Sequence, residues 1–256
     1  MKTWSSVLAL AVLVVACDSA TAPRSFRSTI DDSQVPALQR SAYREDATHL
    51  ALRDLLASGY TEIAIPDDAV QPYYDALVLV HNATALPARD TVVDVYAVHA
   101  YPWPATGSMI LELFDSEAWV QRLARGEVPT GEPTVDALMA RYALSVGNVY
   151  RSSATGNVLL TLASPEPLNF EGLAKLFAGI TGVRFAEPNG YVGDGNDIRG
   201  SMADARLLLD YSVGYGDCPA GCINRRSYHF AVTFDGTVEY LGASGSPPPP
   251  PPPPQP

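Results

Sequence analysis

Lysine is nearly absent. Lys2 and Lys175 are the only two, so arginine carries almost all of the positive charge. Charged residues make up 18% of the 256, below the usual quarter, and the formal net charge is −11. Neutralising nucleic-acid phosphates needs a basic face, and no basic stretch of any length exists, which excludes nucleic acid as a partner. The nucleophile elbow G-x-S-x-G, the zinc helix H-E-x-x-H, the P-loop and the dinucleotide fingerprint G-x-G-x-x-G are all missing. No cofactor is therefore expected and no catalytic residue is assigned. The four histidines, His49, His81, His99 and His229, are scattered over different elements, and carboxylates are too plentiful for spacing to single out an acid–base pair. An enzyme could still assemble its site from dispersed residues. What is present is an apolar fraction of 47%, ordinary for a chain that buries a core, in a length that allows one large domain or two small ones.

The apolar run Val7 to Val15 follows one lysine near the start. It is shorter than the roughly 20 residues a bilayer span requires and suits a secretory signal over residues 1–16. Val14-Val15-Ala16-Cys17 resembles the lipobox of bacterial lipoproteins, although valine replaces the commoner leucine at its first position. That resemblance implies a diacylglycerol thioether on Cys17, which becomes the new N-terminus, and export to the bacterial envelope. Its partner there would be a membrane, held through the lipid, since two acyl chains at about 0.8 kcal/mol per buried methylene anchor a protein stably. Residues 17–40, poor in apolar periodicity, read as a flexible tether.

Cys218 and Cys222 remain as an even pair in an exported chain, which predicts a disulfide. Pro219-Ala220-Gly221 between them is a tight-turn sequence. A redox dithiol, or zinc held by Cys218, Cys222 and His229, are the competing readings. The first lacks the C-x-x-C spacing and the second lacks a fourth ligand. Gly193-Asp194-Gly195-Asn196-Asp197 gathers hard oxygen ligands, and Asp194, Asn196 and Asp197 are weak calcium candidates. The EF-hand frame fails, with Ile198 at its fifth position and Ala205 at its twelfth, and a plain polar turn is the simpler reading.

Hydrophobic spacing predicts a helix over Tyr43 to Ser58 and a second from Pro66, capped by Asp67 or Asp68, which together form a helical hairpin. Strands are expected at 92–100, 108–114, 148–153, 158–163 and 183–186, with helices at 115–125, from 134, and at 170–179, where Leu173, Leu176 and Phe177 face inward. The expected class is α+β. Residues 41–190 form one body around a ferredoxin-like split βαβ antiparallel sheet at about 109–187. Residues 191–242 form a disulfide-clipped β-meander with strands at 205–213, 227–234 and 237–241, in which Arg225-Arg226 sit in solvent or pair with Asp217. Residues 243–256 form a disordered tail whose eight consecutive prolines make a polyproline II rod of roughly 25 Å. Such a rod serves as a ligand for a proline-recognising groove or as a spacer, or is plain low-complexity sequence.

Two further resemblances attach to particular residues. Tyr142, Leu144, Val149-Tyr150, the segment Val158 to Leu162 and the run Leu173 to Asn189, ending Gly182-Val183-Arg184-Phe185-Ala186-Glu187-Pro188-Asn189, resemble the prosegment of subtilisin-like proteases. That implies a chaperone or inhibitor whose sheet packs on an enzyme and whose C-terminal arm enters the cleft. No catalytic domain follows here. Tyr215 to Cys222, with the strand at Tyr228 to Phe234 and the Asp235-Gly236 turn, is similar to the ends of many secreted bacterial proteins of no assigned activity, through a shared G-D-C-P-x-G-C motif. The leading expectation is a membrane-anchored, non-catalytic interaction module for an envelope protein. The prosegment-like inhibitor and the enzyme of dispersed residues are its alternatives.

Overall fold

Tyr43, Ala47, Leu50 and Ala51 recur at helical spacing and are all buried, on the first helix, α1 (Ala37–Ala57). In the computed structural model, which describes Phe26 and residues 30–191, 193–203 and 205–249, α1 begins at Ala37, not Tyr43. Pro36 stands in the N-cap position, Val35 is buried, and Arg40 donates to the carbonyls of Val35 and Asp32, so the end of the expected tether belongs to the core. The signal peptide, Cys17 and the tail from Pro250 lie outside the described residues. α2 (Asp67–Asn82) completes the hairpin. Pro66 takes its N-cap position and neither Asp67 nor Asp68 caps it through a side chain; both instead place negative charge in its first turn.

The expected strand at 92–100 does not form. A short helix α3 (Pro87–Asp90) continues into a π turn over Thr91–Val95, and Ala97 adopts a φ of 42°, which no extended strand accommodates. Backbone groups just beyond are satisfied by a polar stripe on α1 at positions i, i+3 and i+7. Asp46 Oδ1 accepts from Ala100 N at 2.8 Å, and His49 Nδ1 lies 3.0 Å from Pro104 O. Arg53 donates to the carbonyls of Tyr101, Trp103 and Ile198 at 2.5–2.7 Å. The buried Asp197 carboxylate accepts from Arg53 at 3.0 Å and from Tyr101 N at 2.8 Å. Pairing with side chains thus replaces the sheet ladder here.

The first sheet has strands β1 (Ser108–Leu113), β2 (Ser145–Arg151), β3 (Val158–Ala163) and β4 (Val183–Pro188) in the order β2-β3-β1-β4, every pair antiparallel. Met109, Leu111, Leu113, Val158, Leu160 and Leu162 point to one face. They pack against α4 (Ala118–Leu123), α5 (Pro133–Arg141) and α6 (Phe170–Ala178). Leu173 and Phe177 of α6 are buried as expected, but Leu176 is 48% exposed, one step round the helix from that face. Asn169 caps α6 by accepting from Gly172 N at 3.0 Å.

The second sheet has four strands, not three: β5 (Asp197–Ala203), β6 (Arg206–Tyr215), β7 (Asn224–Thr233) and β8 (Val238–Gly245), paired consecutively and antiparallel. β5 eluded its sequence because Gly200 interrupts the apolar alternation. A Cβ there would overlap the Tyr73 ring of α2, so the glycine is what lets the helix approach the sheet. β8 also runs to Gly245, past the expected boundary at residue 242.

The two sheets have separate cores and make two lobes, the first of β1–β4 with α4–α6 and the second of the α1–α2 hairpin with β5–β8. The hairpin α1–α2 packs on the second sheet, where Leu50, Tyr73, Leu77 and Val80 meet Leu207, Leu209, Tyr211 and Phe230. The grouping of 41–190 expected from sequence is therefore not the packing grouping, because residues 108–188 stand as an excursion between the hairpin and the sheet it packs on. The fold is α+β, with two antiparallel sheets. Arg53 holds the excursion's two connections together, and Arg53→Met should leave the Asp197 carboxylate buried without its main cationic partner. A loss of about 3 kcal/mol is expected in urea unfolding, whereas Glu127→Gln in the exposed pair Arg125–Glu127 should leave the unfolding midpoint unchanged.

Candidate functional site

The connections 101–107 and 189–196 run side by side between the lobes. Asn189 N donates to Ser108 O at 2.9 Å, and Gly190 backs onto the Trp103 ring, from which an added Cβ would stand only 3.1 Å. On one side of this seam is a cleft of about 580 Å³, lined by Tyr101, Trp103, Tyr191, Asp194, Asp197 and Arg199 among others. On the other is a cleft of about 380 Å³ bounded by Glu45, His49, Thr106, Asn189 and Tyr191. Trp103 and Tyr191 are 47% and 70% exposed, so both clefts have an aromatic wall open to solvent.

The calcium candidates sit here, each already engaged. Asp194 Oδ1 accepts from Arg225 at 2.5 Å and its Oδ2 from Cys222 N at 3.1 Å. Asn196 Oδ1 accepts from Gly214 N. Asp197 is held by Arg53 and Arg199 and opens β5. Two of the three carry arginine counter-charges, and they do not converge on one point. Among the described residues no group of three or more His, Cys, Asp or Glu side chains could hold a metal ion. Arg225 takes Asp194, not Asp217, as its partner and also donates to Gly195 O and Ser212 Oγ.

Cys218 and Cys222 are joined by a disulfide, with Cα atoms 3.9 Å apart across a turn in which Gly221 has a φ of 109°. The zinc reading falls with it, since disulfide sulfurs are not thiolate ligands. The clipped turn grips the neighbouring connection: Asp194 N donates to Cys218 O at 3.0 Å, and Gly214 has no room for a Cβ beside Cys222 Sγ.

Two histidines stand beside carboxylates, which no spacing revealed. His99 Nδ1 is 2.7 Å from Asp46 Oδ2, and Tyr43, hydrogen-bonded to His81 Nδ1 at 2.9 Å, has its ring 6.2 Å from His99. Burial pushes the Asp46 carboxyl up, with His99 pulling the other way; the bond to Asp46 raises the His99 imidazole. The pair keeps its proton to higher pH than either group alone. His49 and His81 are lowered by burial. On the outer face of the second sheet, His229 Nε2 lies 2.9 Å from Ser244 Oγ, and its Nδ1 is 3.6 Å from Asp210 Oδ1. Ser, His and Asp therefore follow one another across β8, β7 and β6. The 3.6 Å gap is beyond a hydrogen bond, and Asp210 Oδ1 is buried without a hydrogen-bond partner. Neither His99 nor His229 lines the seam clefts.

The outer face of the first sheet carries Ile110, Leu159 and Thr161, half-buried, with Tyr150 and Phe185 exposed at 62% and 43%. The register sets them side by side: Ile110 opposite Thr161, Leu159 opposite Tyr150, and Phe185 opposite Glu112. Glu112 accepts from Asn157 at 2.8 Å and Arg184 at 2.5 Å, and exposed Glu187 stands opposite Ile110, so the face mixes apolar and charged side chains.

The folded chain binds the His99 proton more tightly than the unfolded chain does. Its contribution is thus complete below pH about 6.5 and lost as pH rises through the raised folded value. The difference in melting temperature between the parent and His99→Gln should be largest at pH 5–6 and shrink towards pH 9. Taking the difference cancels the opposite slope contributed by His49 and His81.

In comparisons with known proteins, no family model matches the chain, and no curated protein or solved structure matches it either.

Proposed function

We propose that the protein is an exported bacterial lipoprotein, anchored through a diacylglycerol thioether on Cys17, whose first lobe binds an envelope protein without catalysing a reaction. The observation that carries this reading is the outer sheet face, where Tyr150 and Phe185 on the edge strands and Ile110 and Leu159 on the inner ones surround the Glu112–Arg184 pair. Exposed aromatics and arginine are the residue types enriched at protein interfaces, and here they surround one charge pair on an open sheet face. Anchoring supports it, because a tethered module meets its partner at high local concentration and needs only modest intrinsic affinity.

The prosegment-like reading comes second and shares this face. The strand order β2-β3-β1-β4 with helices on one side supports a ferredoxin-like split βαβ lobe. That is the arrangement implied by the resemblance, whose sheet lies on the partner enzyme. The inhibitory arm has no counterpart, however: beyond Pro188 the chain packs on Trp103 and continues into β5. We therefore favour docking over cleft inhibition. The catalytic alternative would draw on Ser244, His229 and Asp210, and the 3.6 Å separation leaves the histidine without the orienting bond that such a relay uses.

Cys17→Ser should move the protein from the membrane to the soluble fraction; continued membrane association would refute the anchor. The soluble Cys17→Ser chain, titrated by calorimetry against a panel of subtilisin-like proteases, tests the docking face. A one-to-one complex weakened at least tenfold by Phe185→Asp, with peptidase activity retained, is the expected result. Inhibition that survives Phe185→Asp would place the contact elsewhere, and the absence of any complex across the panel would retire this class of partner.

A further inference from the structure

The C-terminal strand does not simply end in solvent. Gly245 closes β8 with a φ of 82°, and a Cβ there would overlap the Arg225 carbonyl, so only glycine makes this exit. Its own carbonyl accepts from Arg226 Nη1 at 2.6 Å. The next residues then run over two tyrosines. Tyr215 Oη shares its one proton between Ser246 O at 3.2 Å and Pro247 O at 3.1 Å, and Tyr96 Oη donates to Pro249 O at 3.3 Å.

Ser246 and Pro249 are three residues apart, which is one turn in a polyproline II helix. Proline supplies no N–H, and its carbonyls are free acceptors. Aromatic side chains whose hydroxyls donate to such carbonyls are the chemistry by which proline-rich segments are read. Tyr215 ends β6 and Tyr96 follows the π turn, which places both at the rim of the second core. Tyr96 is half-buried against that core, beside Tyr228, over whose ring Arg226 lies at 5.8 Å. The two donors are thus supplied by elements far apart in sequence.

We infer that Tyr96 and Tyr215 form a proline-recognition site on the second lobe, occupied in cis by the start of the chain's own proline run, Pro247–Pro249. The site is independent of the sheet face on the first lobe. Its consequence is self-masking: an outside proline-rich segment gains access only by displacing Pro247–Pro249.

The test uses the full Cys17→Ser chain, a second version with Pro247–Pro254 replaced by an equal length of Gly and Ser, and a decaproline peptide as probe in calorimetry. The replaced chain should bind the peptide at least tenfold more tightly than the parent. In that background Tyr96→Phe and Tyr215→Phe, which remove only the hydroxyls, should each weaken binding about fivefold or more while the melting temperature stays put. Equal binding to the two chains, no binding to the replaced chain, or indifference to both phenylalanines would overturn the inference. Sedimentation of the parent adds a further arm: a dimer that the replaced chain lacks would put the tail on a second copy and overturn occupation in cis.

Discussion

The polar stripe Asp46, His49 and Arg53 on α1 is the constraint on which the rest depends. Residues 99–104 leave the second lobe with two prolines and no sheet to join, so their carbonyls and N–H groups need partners from elsewhere. α1 supplies them from one helix face, and Arg53 shares the Asp197 carboxylate with the Tyr101 N–H. A helix that is apolar on its core side is thereby bonded, on another side, to both connections of the excursion. Removing a single group would leave buried polar atoms unpaired at several places, where a typical surface contact would cost almost nothing.

That constraint gives the molecule its plan. The second lobe is built from the hairpin and β5–β8, and the first lobe leaves it at 101–107 and returns at 189–196, with the two crossings in contact. Beyond the crossings, the turn after α1 touches the first lobe: Ala64 bridges to Leu168, and Asn169 Nδ2 donates to Glu62 O at 3.0 Å. The outer face of the first sheet lies away from both attachments and stays open. The proposed docking face and the tyrosine site therefore belong to different lobes and can be occupied independently.

Much of this was legible in the sequence wherever periodicity is local. β1, β3, α2, α5 and α6 lie within a few residues of their expected places, because each buries one face at period 2 or 3.6. The strand expected at 92–100 shows the limit. Thr91-Val92-Val93 has β-branched residues in a row, yet Asp94 pairs with Arg89 and the chain coils into a π turn instead. β5 failed in the opposite direction, since its glycine serves Tyr73 of a helix more than a hundred residues away. The site was less legible than the fold. Cys218 and Cys222 were readable because their partnership is local. Asp46 with His99 and Asp194 with Arg225 are pairings across the lobe, as are the bonds of Tyr96 and Tyr215 to residues 246–249, and nothing in local spacing distinguishes them from solvated side chains. The i, i+3, i+7 spacing of Asp46, His49 and Arg53 was the one available signal. It was masked by the apolar residues interleaved with it.

The disulfide shows how a local feature acquires a distant role. Closing so short a loop removes little chain entropy, about 2 kcal/mol at most, so it cannot be what holds the lobes together. Its turn instead receives Asp194 N on the Cys218 carbonyl and offers Cys222 N to the Asp194 carboxylate, and Arg225 completes the grip. The segment so gripped is the returning connection, next to the aromatic wall of the larger seam cleft. Fixing that connection fixes where β5 begins, and β5 starts at Asp197, the carboxylate that Arg53 holds. The covalent clip and the buried ion pair therefore act in series from Asp194 to Asp197, one ordering the connection and the other bonding its end to α1.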